Sequence, residues 1–338
     1  VLADAEEQGM RLGLRLRDDR LPFAELTALA RLAEARGFEA LFVPEASGRE
    51  VFTQLAAYAC HTARIRLSPG IATIFTRTPS LLAQAAATLD QLSGGRAMLG
   101  LGSGHAPTLT AGHGVHFEQP LARMREYVTL IKAILRGAET MPPTRLVPVT
   151  RFRLETAARP DIPIYMAALG PKMCQLAGEL ADGVLLNWAT PAYVAQALHH
   201  VRLGAERAGR DPDGVDVACY IRVAAGAEAD TLRHAVAREL ARYISMPFYR
   251  AMFDEAGFAA HTGPVAAAYP EDPDRAARLV PDAMLEALTI IGDAAAAHRR
   301  LEEFRAMGVR LPVLAPVPTG PDAAASWRAA IELAPVAV

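Results

Sequence analysis

Short, nearly continuous apolar runs alternate with longer amphipathic stretches along most of this 338-residue chain, and that alternation restricts its fold more than anything else. The first run is Leu12 to Leu16, followed by a helical pattern from Ala24 to Arg36 that closes at Gly37. Ala40 to Glu45 is the second run, with a helix near Val51 to Ala63. Ile65 to Thr73 is the third, leading into Pro79 to Leu92 with proline at the helix start. Ala97 to Leu101 is the fourth; a loop follows, then a long helix from Pro120 to Arg136. Pro163 to Leu169, Gly183 to Asn187 and Asp216 to Ala225 are the fifth to seventh, each followed by a helical pattern. Asp293 to Met307, closed by Gly308, leads into the last run, Pro312 to Val317. Strands apolar on both faces are buried on both faces, and no Asn-Gly hairpin signal joins any two of them. Eight such units predict an α/β fold, a closed (β/α)8 TIM barrel. A doubly wound open sheet, which needs a switch point and usually has fewer strands, is the alternative.

Two segments break the repeat. Residues 137–161, rich in Pro, Thr and Arg, read as an irregular excursion, and 245–290 read as an insertion placed to cap the mouth. No linker divides the chain, so one barrel domain is expected over 10–338. Met10 reads as a natural start, which makes Val1–Gly9 an upstream extension. Lys and Arg total 35 against 37 Asp and Glu, a formal charge of −2, which carries no electrostatic footprint for nucleic acid or an anionic membrane. No apolar stretch is long enough to span a bilayer and no secretory signal is visible. Cys60, Cys174 and Cys219 each sit in an apolar run and read as buried thiols in a reducing compartment. A cytoplasmic protein acting on a small molecule is the expectation.

In a parallel barrel the site is built from loops that follow the C-terminal ends of the strands. Leu99-Gly-Leu-Gly-Ser-Gly-His105 looks like a dinucleotide fingerprint, but His105 takes the place of the third glycine. The segment also follows the fourth run, and no helix signal opens immediately after it. What survives is a strand end stripped of side chains at Gly102, Ser103 and Gly104, either a surface for a flat ring or phosphate or a plain tight turn. Ala167-Ala-Leu-Gly-Pro-Lys172 ends the fifth run and opens a helix. It is either an anion site built from helix N–H groups and Lys172, or a simple βα turn. Pro69-Gly70 inside a buried strand marks a bulge or a kink. Glu45 stands alone among apolar residues; it accepts from a cofactor or substrate, pairs with Arg49, or caps the next helix. His105, His113 and His116 share one loop but lack the spacing of a zinc site, so no metal is expected. His105, on the strand end, is the candidate proton donor. The remaining histidines read as surface or packing residues.

Taken in order, these segments resemble the luciferase-like monooxygenase superfamily, and within it the F420-dependent oxidoreductases of the methylene-tetrahydromethanopterin reductase type. The motifs that carry the resemblance are Gly70-Ile-Ala-Thr-Ile-Phe-Thr-Arg-Thr-Pro79, Leu89-Asp-Gln-Leu-Ser-Gly-Gly-Arg96 with Leu99-Gly-Leu-Gly102, and Pro120-Leu-Ala-Arg-Met-Arg-Glu-Tyr127. Ile164-Tyr-Met-Ala-Ala-Leu-Gly-Pro-Lys172 and Ala177-Gly-Glu-Leu-Ala-Asp-Gly183 continue it; together they cover roughly residues 12 to 190. The resemblance implies a barrel with an insertion, a homodimer, and a cofactor at the C-terminal mouth. It implies a non-proline cis peptide at Gly70–Ile71 next to Ala72, and a cofactor tail against Ser103, Gly104, Ala167, Ala168, Gly170 and Pro171. Asn187, at the end of the sixth run, joins that set, and Glu45 approaches the ring. Two positions depart from the sugar-phosphate dehydrogenase branch: Ala46 replaces a histidine and His105 a glutamate. That branch's acid/base pair is therefore absent, and a reductase with His105 as donor fits better. Coenzyme F420 is the expected cofactor. FMN with monooxygenase chemistry is the alternative, and a non-catalytic cofactor-binding protein a third reading.

Overall fold

Ten parallel strand segments occupy eight positions around a barrel. In chain order they are β1 (Gly13–Arg15), β2 (Ala40–Val43), β3 (Arg66–Pro69), β4 (Ala72–Thr73) and β5 (Leu99–Gly102), then β6 (Ile164–Ala167), β7 (Gly183–Asn187), β8 (Asp216–Ala224), β9 (Thr289–Ile291) and β10 (Leu311–Pro316). The computed structural model describes residues 10–334, so the reading of Val1–Gly9 lies outside the described residues. The hydrogen-bonded path runs β3-β2-β1-β10-β8-β7-β6-β5-β4, and β9 adds to the upper part of β8. A bridge between Leu67 and Ala97 joins β3 to the start of β5 and closes the ring. The expected third run is two strands: β3 pairs with β2, β4 with β5, and the handover falls at Gly70–Ile71, a cis peptide bond.

The helices follow from local signals. Thr78 and Thr190 cap helices Pro79–Ser93 and Pro191–Arg207, each beginning with proline, and Asp293 caps Ala294–Ala306. Outside segment 245–290, two helices were not read from the sequence. Ala106–His113 opens directly at His105, which corrects the expectation of a loop there. Only Leu109 of it is buried, so it carries no apolar period to read. Ala323–Glu332 follows the last strand, capped by Asp322. Its Trp327 indole N–H donates to Asp18 at 3.2 Å, and Arg36 donates to the carbonyls of Glu332 and Ala334, tying the last helix to the first. Segment 245–290 is mostly helical, with Pro247–Phe253, Ala259–Ala268, Pro273–Arg278 and Asp282–Leu288 preceding β9. No helix among the described residues is long and apolar enough to cross a membrane. Cys174 and Cys219 are buried as expected, but Cys60 is exposed, because it lies just past the end of helix Val51–Ala59.

Side chains alternate between two cores. One lies between strands and helices. The other fills the barrel with Ala40, Phe42, Met98, Tyr165, Leu185, Ala218, Tyr220, Leu311, Val313 and Ala315. At the N-terminal end of the barrel Arg11 bridges Glu39 (2.7 Å) and Asp216 (2.8 Å), and the Tyr165 hydroxyl donates to Asp216 at 2.7 Å. Helices Pro171–Leu180 and Pro191–Arg207 meet backbone to backbone: a Cβ on Gly178 would lie 2.0 Å from the Val201 carbonyl, and one on Gly204 1.9 Å from that of Gln175. Gly204→Ala is therefore expected to lower unfolding free energy by roughly 1–3 kcal/mol, read from the urea midpoint; an unmoved midpoint would mean these helices separate freely.

Candidate active site

The interior packing ends at Tyr220. Its hydroxyl crosses the barrel from β8 and donates to the Gly70 carbonyl at 2.8 Å, and the Phe42 ring meets Tyr220 and Tyr165 edge-on. Above this floor two glycines let neighbouring side chains lie directly against the strands. A Cβ on Gly70 would stand 2.0 Å from the Tyr220 hydroxyl, and one on Gly102 would stand 2.5 Å from the Ile71 side chain. Ile71 is half-buried there, with Ala72 buried behind it.

The rim collects most of the sequence candidates, because each follows the C-terminal end of a strand. Glu45 neither pairs with Arg49 nor caps the next helix. Its carboxylate bonds Arg77 at 2.5 Å and accepts from the Thr73 N–H at 3.0 Å, while Glu50 is the cap and Arg49 binds the Asp18 and Leu21 carbonyls. Glu45 is thus locked to β4. Ser103 is half-buried, its carbonyl accepting from the Thr73 hydroxyl, and Gly104 takes φ 71°, a left-handed conformation suited to glycine. His105 lies exposed at the start of the short helix, its Nδ1 3.2 Å from the Thr108 hydroxyl. Partial burial, then the nearby Arg242 cation, hold its pKa below the ordinary 6.5. Ala167 and Ala168 lead to Gly170, which begins helix Pro171–Leu180 with no side chain capping its N–H groups; Lys172 is exposed there. His113 ends its helix and His116 lies beyond it, both exposed.

Across the barrel, on β7 and β8, is a polar cluster that the sequence reading met only at Asn187. Arg222, on β8, is 1% exposed; it bonds Glu239 at 3.1 Å and the Asn187 side-chain oxygen at 2.5 Å, and lies 4.1 Å over the Trp188 ring. The Asn187 amide donates to the Tyr249 hydroxyl at 2.7 Å, and Tyr243 packs on Tyr249 and Trp188. Burial pushes the Glu239 carboxyl up, but Arg222, then Arg15, outweigh it and leave its pKa lowered. Trp188 takes φ 53°, rare for a bulky side chain and a mark of a constrained site. The signal for this cluster was present: a lone arginine inside the apolar run of β8 has no place in a barrel core unless partners await it.

A parallel barrel with glycine-rich strand ends, an uncapped helix start and a buried ion pair at its C-terminal mouth has the build of a cofactor-using TIM-barrel enzyme. A family model described as Luciferase-like monooxygenase matches residues 6–311. This chain belongs to that family. The 5,10-methylenetetrahydromethanopterin reductase of Methanolobus tindarius is 33% identical over 306 residues, 89% of this chain and 92% of that protein. Its counterpart from Archaeoglobus fulgidus is 32% identical over 93% of this chain and 95% of that protein. Among solved structures, the coenzyme F420-dependent tetrahydromethanopterin reductase from Methanopyrus kandleri matches with a TM-score of 0.83 at 30% identity over 97% of each chain. An F420-dependent secondary alcohol dehydrogenase, at 20% identity and a TM-score of 0.78, shares the fold.

The floor of the mouth can be probed without any ligand. Tyr220→Phe removes the sole side-chain donor to the Gly70 carbonyl among the described residues and is expected to cost about 1–3 kcal/mol of stability. Chemical denaturation reads it; a neutral result would place water or another donor at that carbonyl.

Proposed function

We propose that this chain is an F420-dependent oxidoreductase that transfers a hydride between the deazaflavin and a small organic substrate, reducing C=C, C=N or C=O or running the reverse. What carries the reading is the 33% identity, over 89% of the chain, to an enzyme whose solved counterpart is F420-dependent. The residues present fit the group. A flat tricycle needs a smooth apolar surface to lie on, and Ile71, half-buried over Gly102, offers one. A phosphate-bearing tail needs donors, and the uncapped N–H groups after Gly170, with Lys172, Ser103 and Gly104, supply them.

When bound, F420 supplies a hydride at its C5 carbon, and the rest of the chemistry falls to the protein. Glu45, held by Arg77 and Thr73, orients the ring. Ala72, Ala167, Ala168, Pro171 and Asn187 complete its surroundings. His105 holds the proton that accompanies the hydride, on the ring nitrogen its Thr108 contact leaves free. The 245–290 segment acts as the lid: Tyr249 is already bonded to Asn187, and exposed Phe248 lies beside Gly170, where closure excludes water.

Fluorescence titration tests the cofactor directly. F420 is expected to bind and FMN not, with Lys172→Ala weakening F420 three- to tenfold, on the order of the ~1 kcal/mol such a contact supplies. Tight FMN binding with oxygen uptake would replace the reading with a monooxygenase. For His105 the active form is the protonated one and its pKa is lowered, so reduction rates should fall as pH rises through a value below 6.5. His105→Ala should abolish that limb; a limb that persists assigns the proton elsewhere.

A further inference from the structure

A second cation stands inside the barrel mouth without a partner. Gly13 faces the interior, since a Cβ there would meet Val313 at 3.0 Å and Phe42 at 3.3 Å, both of the barrel core. Strand alternation puts Arg15, two residues on and paired in register with Phe42, on the same inner face one layer nearer the mouth. Arg222 is its counterpart on β8, two residues past interior Tyr220. The two differ in what they touch. Arg222 is satisfied by Glu239 and Asn187. Arg15 makes no side-chain hydrogen bond and no ion pair with any described residue, although it is half-buried and its charge is felt at both Glu239 and Tyr220.

The charges nearby cancel it only in part. Glu239 is already in contact with Arg222, and Arg242 adds a further cation beside His105; Glu45, across the mouth, belongs to Arg77. A half-buried guanidinium with no acceptor is costly, unless an anion arrives to meet it. With the flat face of the cofactor against Ile71, Arg15 and the Asn187–Arg222–Glu239 cluster border the space left for the substrate. The planar fork of the free guanidinium matches a carboxylate in two-point contact.

We propose that Arg15 is the specificity residue of this mouth, binding a carboxylate carried by the substrate and so fixing which end of it meets the hydride. The proposal rests on the F420 reading for where the substrate lies, but the binding it predicts does not require the cofactor.

The test uses 4-oxopent-2-enoate and its methyl ester, a pair alike except for the charge, titrated into wild-type protein and into Arg15→Gln and Arg15→Lys, each with and without F420. Binding is followed by saturation-transfer NMR and F420 affinity by fluorescence. Wild type should prefer the acid by about tenfold, Arg15→Gln should bind acid and ester alike, and Arg15→Lys should keep part of the preference. F420 affinity should be the same in all three proteins. Equal affinities in wild type, or an acid preference that survives Arg15→Gln, overturns the proposal. So does a loss of F420 affinity in Arg15→Gln, which would make the cofactor itself the partner of Arg15. Inorganic phosphate competing better than acetate would overturn the carboxylate assignment. If wild type fails to bind F420, the proposed function falls, and the acid preference of the cofactor-free protein still decides the role of Arg15.

Discussion

A closed ring of eight parallel strand positions must be filled from within, and the level at which that filling stops sets everything above it. Here it stops at the Tyr220 phenol, which spans the barrel to the Gly70 carbonyl with the Phe42 ring against its edge. Below that level the interior is mostly apolar, down to the Arg11, Glu39 and Asp216 network at the opposite end. Above it, Tyr220 and Ile71 cover Gly70 and Gly102, and β8, across from them, bears Arg222. The mouth begins where the apolar filling gives way to charged side chains.

That arrangement divides the mouth into two unlike halves. One half presents Ile71 over Gly102, with Glu45 held beside it by Arg77 and Thr73. The other half concentrates buried charge, where one ion pair, Arg222–Glu239, is stiffened by Asn187 and by the rings of Trp188 and Tyr243. A buried pair of this kind is a weak source of stability but a strong constraint on geometry, since removing either partner strands the other. Segment 245–290 is stitched into this half through Tyr249, so the insertion and the charged cluster hold their positions together.

Much of this was legible in the chain. All eight strand positions and most of the helices between them follow from apolar runs, proline starts and glycine stops, because these are local consequences of backbone and solvent. The short helix at Ala106–His113 escaped, since exposed helices leave no apolar period. The rim residues Glu45, Gly102–His105 and Gly170–Lys172 could be named because every βα loop of a barrel opens on the same face. Their partners could not. That Glu45 meets Arg77 rather than Arg49, and that Asn187 meets both Arg222 and Tyr249, depends on residues brought together from distant strands.

By itself, then, the sequence determined the number of units, their order, the end of the barrel that carries the site and the residues available there. Only the tertiary structure decided which faces those residues present and what they touch. Closing the ring brings the C-terminal ends of all the strands round one opening. A side chain placed by its own strand is then neutralised, stacked or left unpaired by another strand far away in the chain. Arg15 and Arg222 show the difference: each is a lone arginine in an apolar strand, alike in sequence. In the barrel one is enclosed by Glu239, Asn187 and Trp188, and the other, half-buried, meets no side-chain partner among the described residues.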